Sequence, residues 1–547
     1  MTAADTTSYL RRLEAENNIS YDQIRNSRAS YITSMCYTKT VDDTTQRVYN
    51  PCYSCHTNGK EPNYINDSGL QLQYNFPQEI LKNPFTNLFK DRSAAVTKIS
   101  DDAIWRYVAE SNYFDANGTI ALAQHLPAAW KGYRPDCYYN FDAAGFDHAP
   151  DDSYTGWRAF RYYPFLGTFW PTNGSTDDVL IRLDAPFRET NDGQFDAETY
   201  ALNLAIVEAV VKEKNIALEA PVDETKYGVD LNQNGLLDTA SRVVFNAEDY
   251  FRNMSYVGKA KKLLSEGKLH LAGGLFPEGT EFLHSVRYIG WDAKAGHISL
   301  AKRLKELRYA RKQSWKTYSE LDRIVKAEYW EAQINGIDQT PMEVWRGNFE
   351  EGLKTRTGWR YQGFIEDKKG ALRPQTHEET INCMGCHAGI GATTDTIFSF
   401  PRKFEGTDPE GKMYGWNHWS QKGLSGVPDQ IVSYQGHANV HEYTFYLLQN
   451  HSGNEFRNNE EVIAKFFDAD GTLKETMRKA LRDDISVLLY PSKGRAAALN
   501  KGYKALVEEQ SYIYGRDANV KPMQNVYREI ESYTKPTGIE APILREY

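Results

Sequence analysis

Two short stretches of the chain combine cysteine and histidine at a spacing suited to cofactor chemistry. Both read Cys-x-x-Cys-His, and their residues are Cys52, Cys55, His56, Cys383, Cys386 and His387. Cysteine fills 6 of the 547 positions and histidine 12, so random placement would produce only about 10⁻³ copies of the pattern. Two copies in one chain therefore indicate a common chemical role.

The spacing of these residues suits covalent attachment of haem. Two thiols three positions apart can form thioethers with the two vinyl groups of one porphyrin, and the next histidine can bind the iron. We therefore expect two haem c groups, with His56 and His387 as iron ligands. Three alternatives are a four-cysteine zinc site, which leaves the histidines unexplained, a thioredoxin-type pair, which lacks its βαβ pattern, and ordinary disulfides.

The sixth ligand of each iron separates electron transfer from catalysis, because only an open position admits a small molecule. The candidate distal ligands are His284, His125, Met254 and Met413. For an enzyme we expect the second haem to be reactive, with His284 and His418 as candidate catalytic residues. Side chains of suitable type are Arg287, His377, Glu378 and Glu379. The alternative for His284 is a hydrogen-bonded place in the core, and His418, between Trp416 and Trp419, is expected to line an open pocket.

A calcium-binding loop is predicted in DLNQNGLLD. Its candidate ligands are the side chains of Asp230, Asn232, Asn234 and Asp238 and the carbonyl of Leu236. Position 12 of the pattern holds Ser241 instead of glutamate, so Asp223 or Glu224 would have to fold back to complete the shell. The alternative is an asparagine- and glycine-rich turn held by its own hydrogen bonds.

The two cysteines outside the motifs are Cys36 and Cys137. An exported protein with one spare pair is expected to form a disulfide. Buried free thiols, or a role at a haem iron, are the alternatives.

Composition indicates a globular chain without a membrane span. The net charge is −9, which argues against nucleic-acid binding, and no run of 18 apolar residues occurs. The first residues show no signal peptide. Because haem c is attached outside the cytoplasmic membrane, we expect a periplasmic or otherwise exported protein whose signal has been removed, and a lipid anchor removed with that signal is compatible with this.

The expected fold is mainly α with irregular loops and a minor β component, in a multi-segment di-haem cytochrome c architecture. One long helix, or two stacked ones, is predicted from Ser299 and begins with a cluster of basic residues that would pair with haem propionates, dock an acidic partner or form a solvated face. The predicted segments are 1–150 with haem 1, 151–245 with the aromatic and calcium region, 246–345 with the basic cluster, and 346–547 with haem 2.

The two motifs resemble those of di-haem c-type cytochromes, a group that includes bacterial cytochrome c peroxidases, the MauG group and the rubber oxygenases. In these families one haem stores or relays electrons and the other binds the oxidant, but the resemblance covers about ten residues and supports only the attachment cysteines and the proximal histidines. Because electron carriers seldom need so long a chain for two haems, the expected function is a haem-dependent oxidoreductase, with a pure electron carrier as the alternative. Either would need a redox partner protein, and the enzyme would need a small-molecule oxidant or substrate.

Overall fold

The computed structural model describes most of the chain. The described residues are 3–25, 32–63, 66–335, 346–387, 389–406, 415–451, 455–531 and 534–547. Within them no helix is both long enough and apolar enough to cross a bilayer.

The α-helices of the described residues are mostly short and are distributed along the whole chain. They are α1 Ala3–Asn17, α2 Ser93–Thr97, α3 Asp101–Ala109, α4 Ala121–His125, α5 Ala197–Lys212, α6 Tyr250–Asn253, α7 Gly258–Ser265, α8 Tyr318–Asn335, α9 His377–Met384, α10 Glu442–Asn450, α11 Glu460–Phe466, α12 Glu475–Asp483, α13 Ser486–Leu489 and α14 Lys493–Glu509.

The β-strands of the described residues fall mainly in the middle of the chain. They are β1 Gln73–Tyr74, β2 Phe146–His148, β3 Tyr154–Phe160, β4 Thr176–Arg182, β5 Ile216–Asp223, β6 Thr239–Val243, β7 Glu281–Asp292, β8 His297–Lys312, β9 Gly347–Asn348, β10 Gly352–Lys354, β11 Trp359–Glu366, β12 Leu372–Pro374, β13 Ile431–Tyr434, β14 His437–His441, β15 Lys535–Pro536 and β16 Arg545–Glu546.

A nine-stranded antiparallel sheet organises the described part of the molecule. Its order is β2-β3-β4-β7-β8-β11-β10-β9, and β12 pairs with β11. The long hairpin β7–β8 lies at its centre and turns between Asp292 and His297, where the Asp292 carboxylate accepts the backbone N–H groups of Lys294 and Ala295. All four segments named from the sequence contribute strands to this sheet.

Both faces of this sheet are covered. Neighbouring residues of one strand lie on opposite faces, and they pack in different hydrophobic cores. On β4, Val179 and Ile181 pack in the cluster that contains α5, whereas Leu180 packs with residues between 113 and 137. Farther along the hairpin, Tyr288 and Ile289 pack against α3 and α14. A sheet that is buried on both faces shows little alternation of polar and apolar residues in its sequence.

The fold is therefore mixed α and β, and the expectation of a mainly α fold is wrong. The clearest difference is the long helix predicted from Ser299, where the structure has β8 followed by α8. Lys302, Lys305 and Arg308 recur at every third position, which mimics a helical face. In the strand Lys302 is exposed, whereas Lys305 is buried and bonded to oxygens of a distant segment. Tertiary partners have outweighed the local pattern.

Three parts of the structure follow signals that are local in the sequence. The Ser100 side chain accepts the backbone N–H of Ala103 and caps α3. The apolar stretch from Asp196 forms α5, and Tyr154–Phe160 and Thr176–Arg182 form β3 and β4. Each of these elements carries its signal within its own residues.

Candidate functional site

The first cysteine motif lies in a tight turn. Residues Cys52–Ser54 form a 3₁₀ turn, in which Cys55 and His56 both donate their backbone N–H groups to the Cys52 carbonyl, at 3.1 and 2.9 Å. The Asn50 side chain accepts the Cys52 N–H at 3.0 Å. This turn brings the two cysteines and the histidine of the motif close together.

The second motif lies at the end of helix α9. The helix begins with a capping box, in which Thr376 and Glu379 exchange side-chain to backbone hydrogen bonds. Cys383 belongs to its last turn, and the backbone N–H of His387 bonds the Cys383 carbonyl at 3.2 Å. The cap therefore fixes the start of the element that presents the second motif.

The two motifs are 331 positions apart in sequence, yet they lie side by side. The backbone N–H of Ala392 donates to the Cys55 carbonyl at 3.1 Å. Asp67 joins the two regions, because its Oδ1 accepts the N–H groups of both Thr57 and Gly391 at 3.1 Å. Distant segments of the chain therefore fold back to bring the two motifs together.

Both motif histidines are held through Nδ1. His56 Nδ1 lies 2.8 Å from the Asp67 Oδ2, and His387 Nδ1 lies 2.7 Å from the Thr396 carbonyl. Because a carbonyl only accepts, His387 carries its proton on Nδ1 and keeps a lone pair on Nε2. Such a hydrogen bond to the second nitrogen is typical of histidines that bind metals.

The two histidines differ in basicity because their surroundings differ. Burial would lower the pKa of His56, but the Asp67 carboxylate and Cys36 together outweigh it and raise this pKa to about 10. Burial dominates at His387 and lowers its pKa to about 4. His387 is therefore neutral at physiological pH, the form in which imidazole binds a metal.

A cavity of about 310 Å³ opens beside the motifs. Its walls include Cys55 from the first motif and Cys383, Cys386 and His387 from the second, whereas Cys52 and His56 lie outside the lining. Much of the remaining wall is aromatic or aliphatic, with Phe165, Phe169, Phe282, Tyr361, Ile397 and Phe398 among its residues. The size and apolar character are typical of a small-molecule site.

Among the predicted distal ligands, the described structure brings His284 to the cavity. His284 lies on β7, lines the cavity, and has its Nε2 at 3.1 Å from Asp177 Oδ2. His125 is exposed at the end of α4, and Met254 is buried in the core around α5. Met413 lies outside the described residues. The fold therefore separates candidates that the sequence left equal.

His418 is placed away from the cavity lining. It is buried, its Nε2 lies 2.9 Å from Asp178 Oδ2, and its Nδ1 lies 2.6 Å from Ser420 Oγ. Its ring also stacks on Phe141 at 4.5 Å. Both ring nitrogens of His418 therefore have partners inside the protein, whereas the sequence suggested a place at an open pocket.

The predicted calcium loop is a compact turn that connects β5 and β6. Asp230 accepts the N–H groups of Asn234 and Gly235, and the amides of Asn232 and Asn234 contact the Asp238 carboxylate at 3.2 and 3.1 Å. Leu236 lies in the same turn and donates its N–H to Asn234 at 2.8 Å. The oxygen-bearing side chains of the pattern therefore converge.

Glu224 does fold back onto the loop. It is fully buried, and its carboxylate accepts the backbone N–H groups of Leu231, Asn232 and Asp238 at 2.7, 3.1 and 3.0 Å. Asp223 instead bonds Thr225. Glu224 thus organises the loop backbone.

The expected disulfide between Cys36 and Cys137 is wrong, since both cysteines are free. Cys137 is buried in a core that also contains Tyr113 and Trp130. Burial raises the pKa of its thiol well above the usual value. Burial also opposes ionisation of Cys36, but His56 and Thr33 outweigh it and lower its pKa. The two thiols belong to different parts of the fold.

Several cavity residues escaped the sequence analysis. Met35, Arg457 and Arg516 line the cavity, and Asp67 joins the motifs. Met35 precedes Cys36, but no pattern around it indicates a binding role. The basic cluster was recognised, and two of its members, Lys305 and Arg308, do line the cavity.

Comparison with known proteins shows that the chain is similar to lipoproteins. A family model described as "-like lipoprotein" matches residues 21–485. An "Uncharacterized lipoprotein" of Aquifex aeolicus (strain VF5) is 29% identical over 541 residues, which cover 88% of this chain and 84% of the relative. No solved structure matches the chain significantly.

These matches correct the classification as a di-haem c-type cytochrome. The family and the relative are both described as lipoproteins, and neither description names a cytochrome. The functions inferred from that classification, a haem-dependent oxidoreductase or an electron carrier with a redox partner, are therefore withdrawn. The description as lipoprotein agrees with the expectation of an exported protein.

Proposed function

We propose that this chain, a member of the lipoprotein family, is an exported, lipid-anchored protein of the periplasm that carries covalently attached haem at the cavity beside its two motifs. Cys55, Cys383, Cys386 and His387 would hold the cofactor from the cavity wall, and Cys52 and His56 would complete the first motif from outside the lining.

One observation carries the proposal: two Cys-x-x-Cys-His motifs remote in sequence lie side by side, and Cys55, Cys383, Cys386 and His387 from them line one cavity. Asp67 bonds the backbone beyond each motif, at Thr57 and Gly391. A pair of motifs with only structural roles would have no need to adjoin an apolar cavity of about 310 Å³. The arrangement therefore supports a cofactor that is attached there.

The chemistry of the donor groups fits haem. Cys383 and Cys386 line the cavity and can form thioethers, while Nδ1 of His387 is engaged by Thr396, which directs Nε2 to a metal. Aromatic walls suit the faces of a planar macrocycle. Bound haem would supply an iron centre, and His284 and Met35 bring an imidazole and a thioether to the same cavity.

Covalent loading can be tested motif by motif. The full chain is produced in bacteria with a haem c attachment system, and intact mass and haem absorbance under denaturing conditions are measured. We expect a mass gain of two haems in the wild type. Cys52→Ala/Cys55→Ala and Cys383→Ala/Cys386→Ala should each lose one of them.

Cys137→Ala is a matched control, because this free cysteine lies outside both motifs and in a separate core. It should keep both haems. A wild-type chain that leaves this host folded, with unmodified mass and four reactive motif thiols, contradicts the proposal.

Calcium at the β5–β6 turn is a second part of the proposal. Its support is the convergence of Asp230, Asn232, Asn234 and Asp238 around one turn, with the Leu236 carbonyl in the same segment. Isothermal titration with calcium chloride tests it, since Asp230→Asn/Asp238→Asn should abolish binding. Asp223→Asn, which removes a carboxylate bonded to Thr225, should retain it.

A further inference from the structure

The cavity lining contains a group of cationic side chains that we call its positive end. It comprises four cationic residues, and the acids in the whole lining are two, Glu306 and Asp517. The cationic residues are Lys305, Arg308, Arg457 and Arg516. Nothing in the attachment of haem through cysteines requires this excess, so the positive end calls for its own explanation.

Lys305 is the cation that the protein neutralises least. Its side chain is 1% exposed, and its Nζ donates to the Gly174 carbonyl at 2.5 Å and to Ser175 Oγ at 3.1 Å. It forms an ion pair with no carboxylate in the part of the chain that the structure describes. Its ammonium also lies 4.1 Å from the centre of the Tyr503 ring. A buried lysine without a carboxylate partner is costly unless an anion completes its surroundings.

Two of the three arginines share one acid. Glu306 Oε2 lies 3.0 Å from Arg308 Nε and 2.7 Å from Arg516 Nη1, so one carboxylate serves two cations. Arg457 Nη1 lies 2.6 Å from Glu455 Oε1, and its Nη2 lies 3.3 Å from Asp517 Oδ1. The end of the cavity thus keeps positive charge that these acids do not cancel.

Hydrogen-bond donors in the lining also lack acceptors. Among the described residues, four buried polar atoms of the cavity wall have no partner, namely Trp170 Nε1, Gln362 Nε2, Tyr503 Oη and Arg516 Nε. Three of them can only donate, and the tyrosine hydroxyl can donate as well. Buried donors normally have partners, so this wall is suited to a ligand rich in acceptor oxygens.

We propose that this end of the cavity is a carboxylate-binding subsite formed by Lys305, Arg308 and Arg516. It deepens the proposed function and rests on it, because the carboxylates would be the propionates of the attached porphyrin. A separate small dicarboxylate would present the same chemistry. The unpaired ammonium of Lys305, the two arginines that share Glu306, the free donors and the apolar walls together favour a ligand with one apolar and one anionic end.

The test compares two porphyrins on the full chain produced without the attachment system. Haemin carries two free carboxylates, whereas haemin dimethyl ester has the same ring without the charges. Binding is followed by quenching of tryptophan fluorescence, since Trp170 lines the cavity. We expect haemin to bind at least tenfold more tightly than its ester.

A pair of lysine variants assigns the preference to the subsite. Lys305→Met should bring the two affinities within about threefold, because it removes the unpaired ammonium and retains an unbranched side chain. Lys302→Met changes an exposed lysine of the same strand and should preserve the wild-type ratio. If Lys305→Met fails to fold, the affinities of the wild type for haemin and for its ester still test the subsite.

The outcomes separate this inference from the proposed function. Equal affinities for haemin and its ester in the wild type overturn the subsite and leave the haem site standing. If neither porphyrin binds but succinate stabilises the wild type and not Lys305→Met, the subsite stands for a free dicarboxylate and the haem proposal falls. If porphyrins and succinate all fail to bind, the subsite is overturned. The haem proposal is then tested separately by the mass of the chain produced with the attachment system.

Discussion

The ion pair between Lys312 and Asp395 should be one of the most sensitive points of the fold. Both side chains are 0% exposed, and Lys312 Nζ lies 2.7 and 2.6 Å from the two carboxylate oxygens. Lys312 ends β8, whereas Asp395 belongs to the segment after the second motif. The neighbouring Thr396 carbonyl holds His387 Nδ1, so the pair fixes the loop that orients this histidine.

We expect Lys312→Met to lower the free energy of unfolding by about 3–5 kcal/mol, because it leaves a buried carboxylate without its cation. Asp395→Asn should cost a similar amount, since it leaves a buried ammonium. Asparagine is the suitable replacement, because residue 395 has a φ of 48° and asparagine tolerates this conformation. The double variant should cost much less than the sum, with a coupling energy of at least about 2 kcal/mol.

The four proteins of this cycle are compared by denaturant unfolding, followed by tryptophan fluorescence and circular dichroism. Trp359 reports locally, since the Lys312 ammonium lies 5.4 Å from its ring centre. Lys302→Met, an exposed change on the same strand, should alter stability by less than about 0.5 kcal/mol. Additive losses in the cycle, or a cost for Lys312→Met as small as that of Lys302→Met, would refute the reasoning.

Three further changes have defined outcomes. Asp67→Ala should cost about 2–4 kcal/mol, because Thr57 and Gly391 lose the acceptor of their N–H groups, and an unchanged denaturation midpoint would contradict the bridging role. Thr376→Ala should cost about 1 kcal/mol through loss of the α9 cap, whereas Thr376→Ser should restore it. Burial raises the pKa of Asp429 to about 6, so its protonated form is favoured in the folded state, and wild-type stability relative to Asp429→Asn should fall as pH rises from about 4 to about 6. A pH-independent difference in unfolding free energy would rule this out.

The sequence predicted the elements whose signals are local. Ser100 before two aspartates indicated the start of α3, and the apolar stretch after Asp196 indicated α5, because caps and helical periodicity depend on residues a few positions apart. The two Cys-x-x-Cys-His motifs were likewise visible, since their chemistry depends on a spacing of three. The mixed fold was missed, because β8 is buried on both faces and its charges have distant partners.

By itself, the sequence therefore determined which residues are chemically suited to hold a cofactor, and only the tertiary structure decided which of them meet. Antiparallel pairing of β7 and β8 carries His284 and Lys305 to the same cavity, whereas His125, Met254 and His418 lie elsewhere. Asp67 bonds segments more than 300 residues apart. Such contacts arise from packing between elements, which no spacing along the chain encodes, and they are the reason one cavity adjoins both motifs.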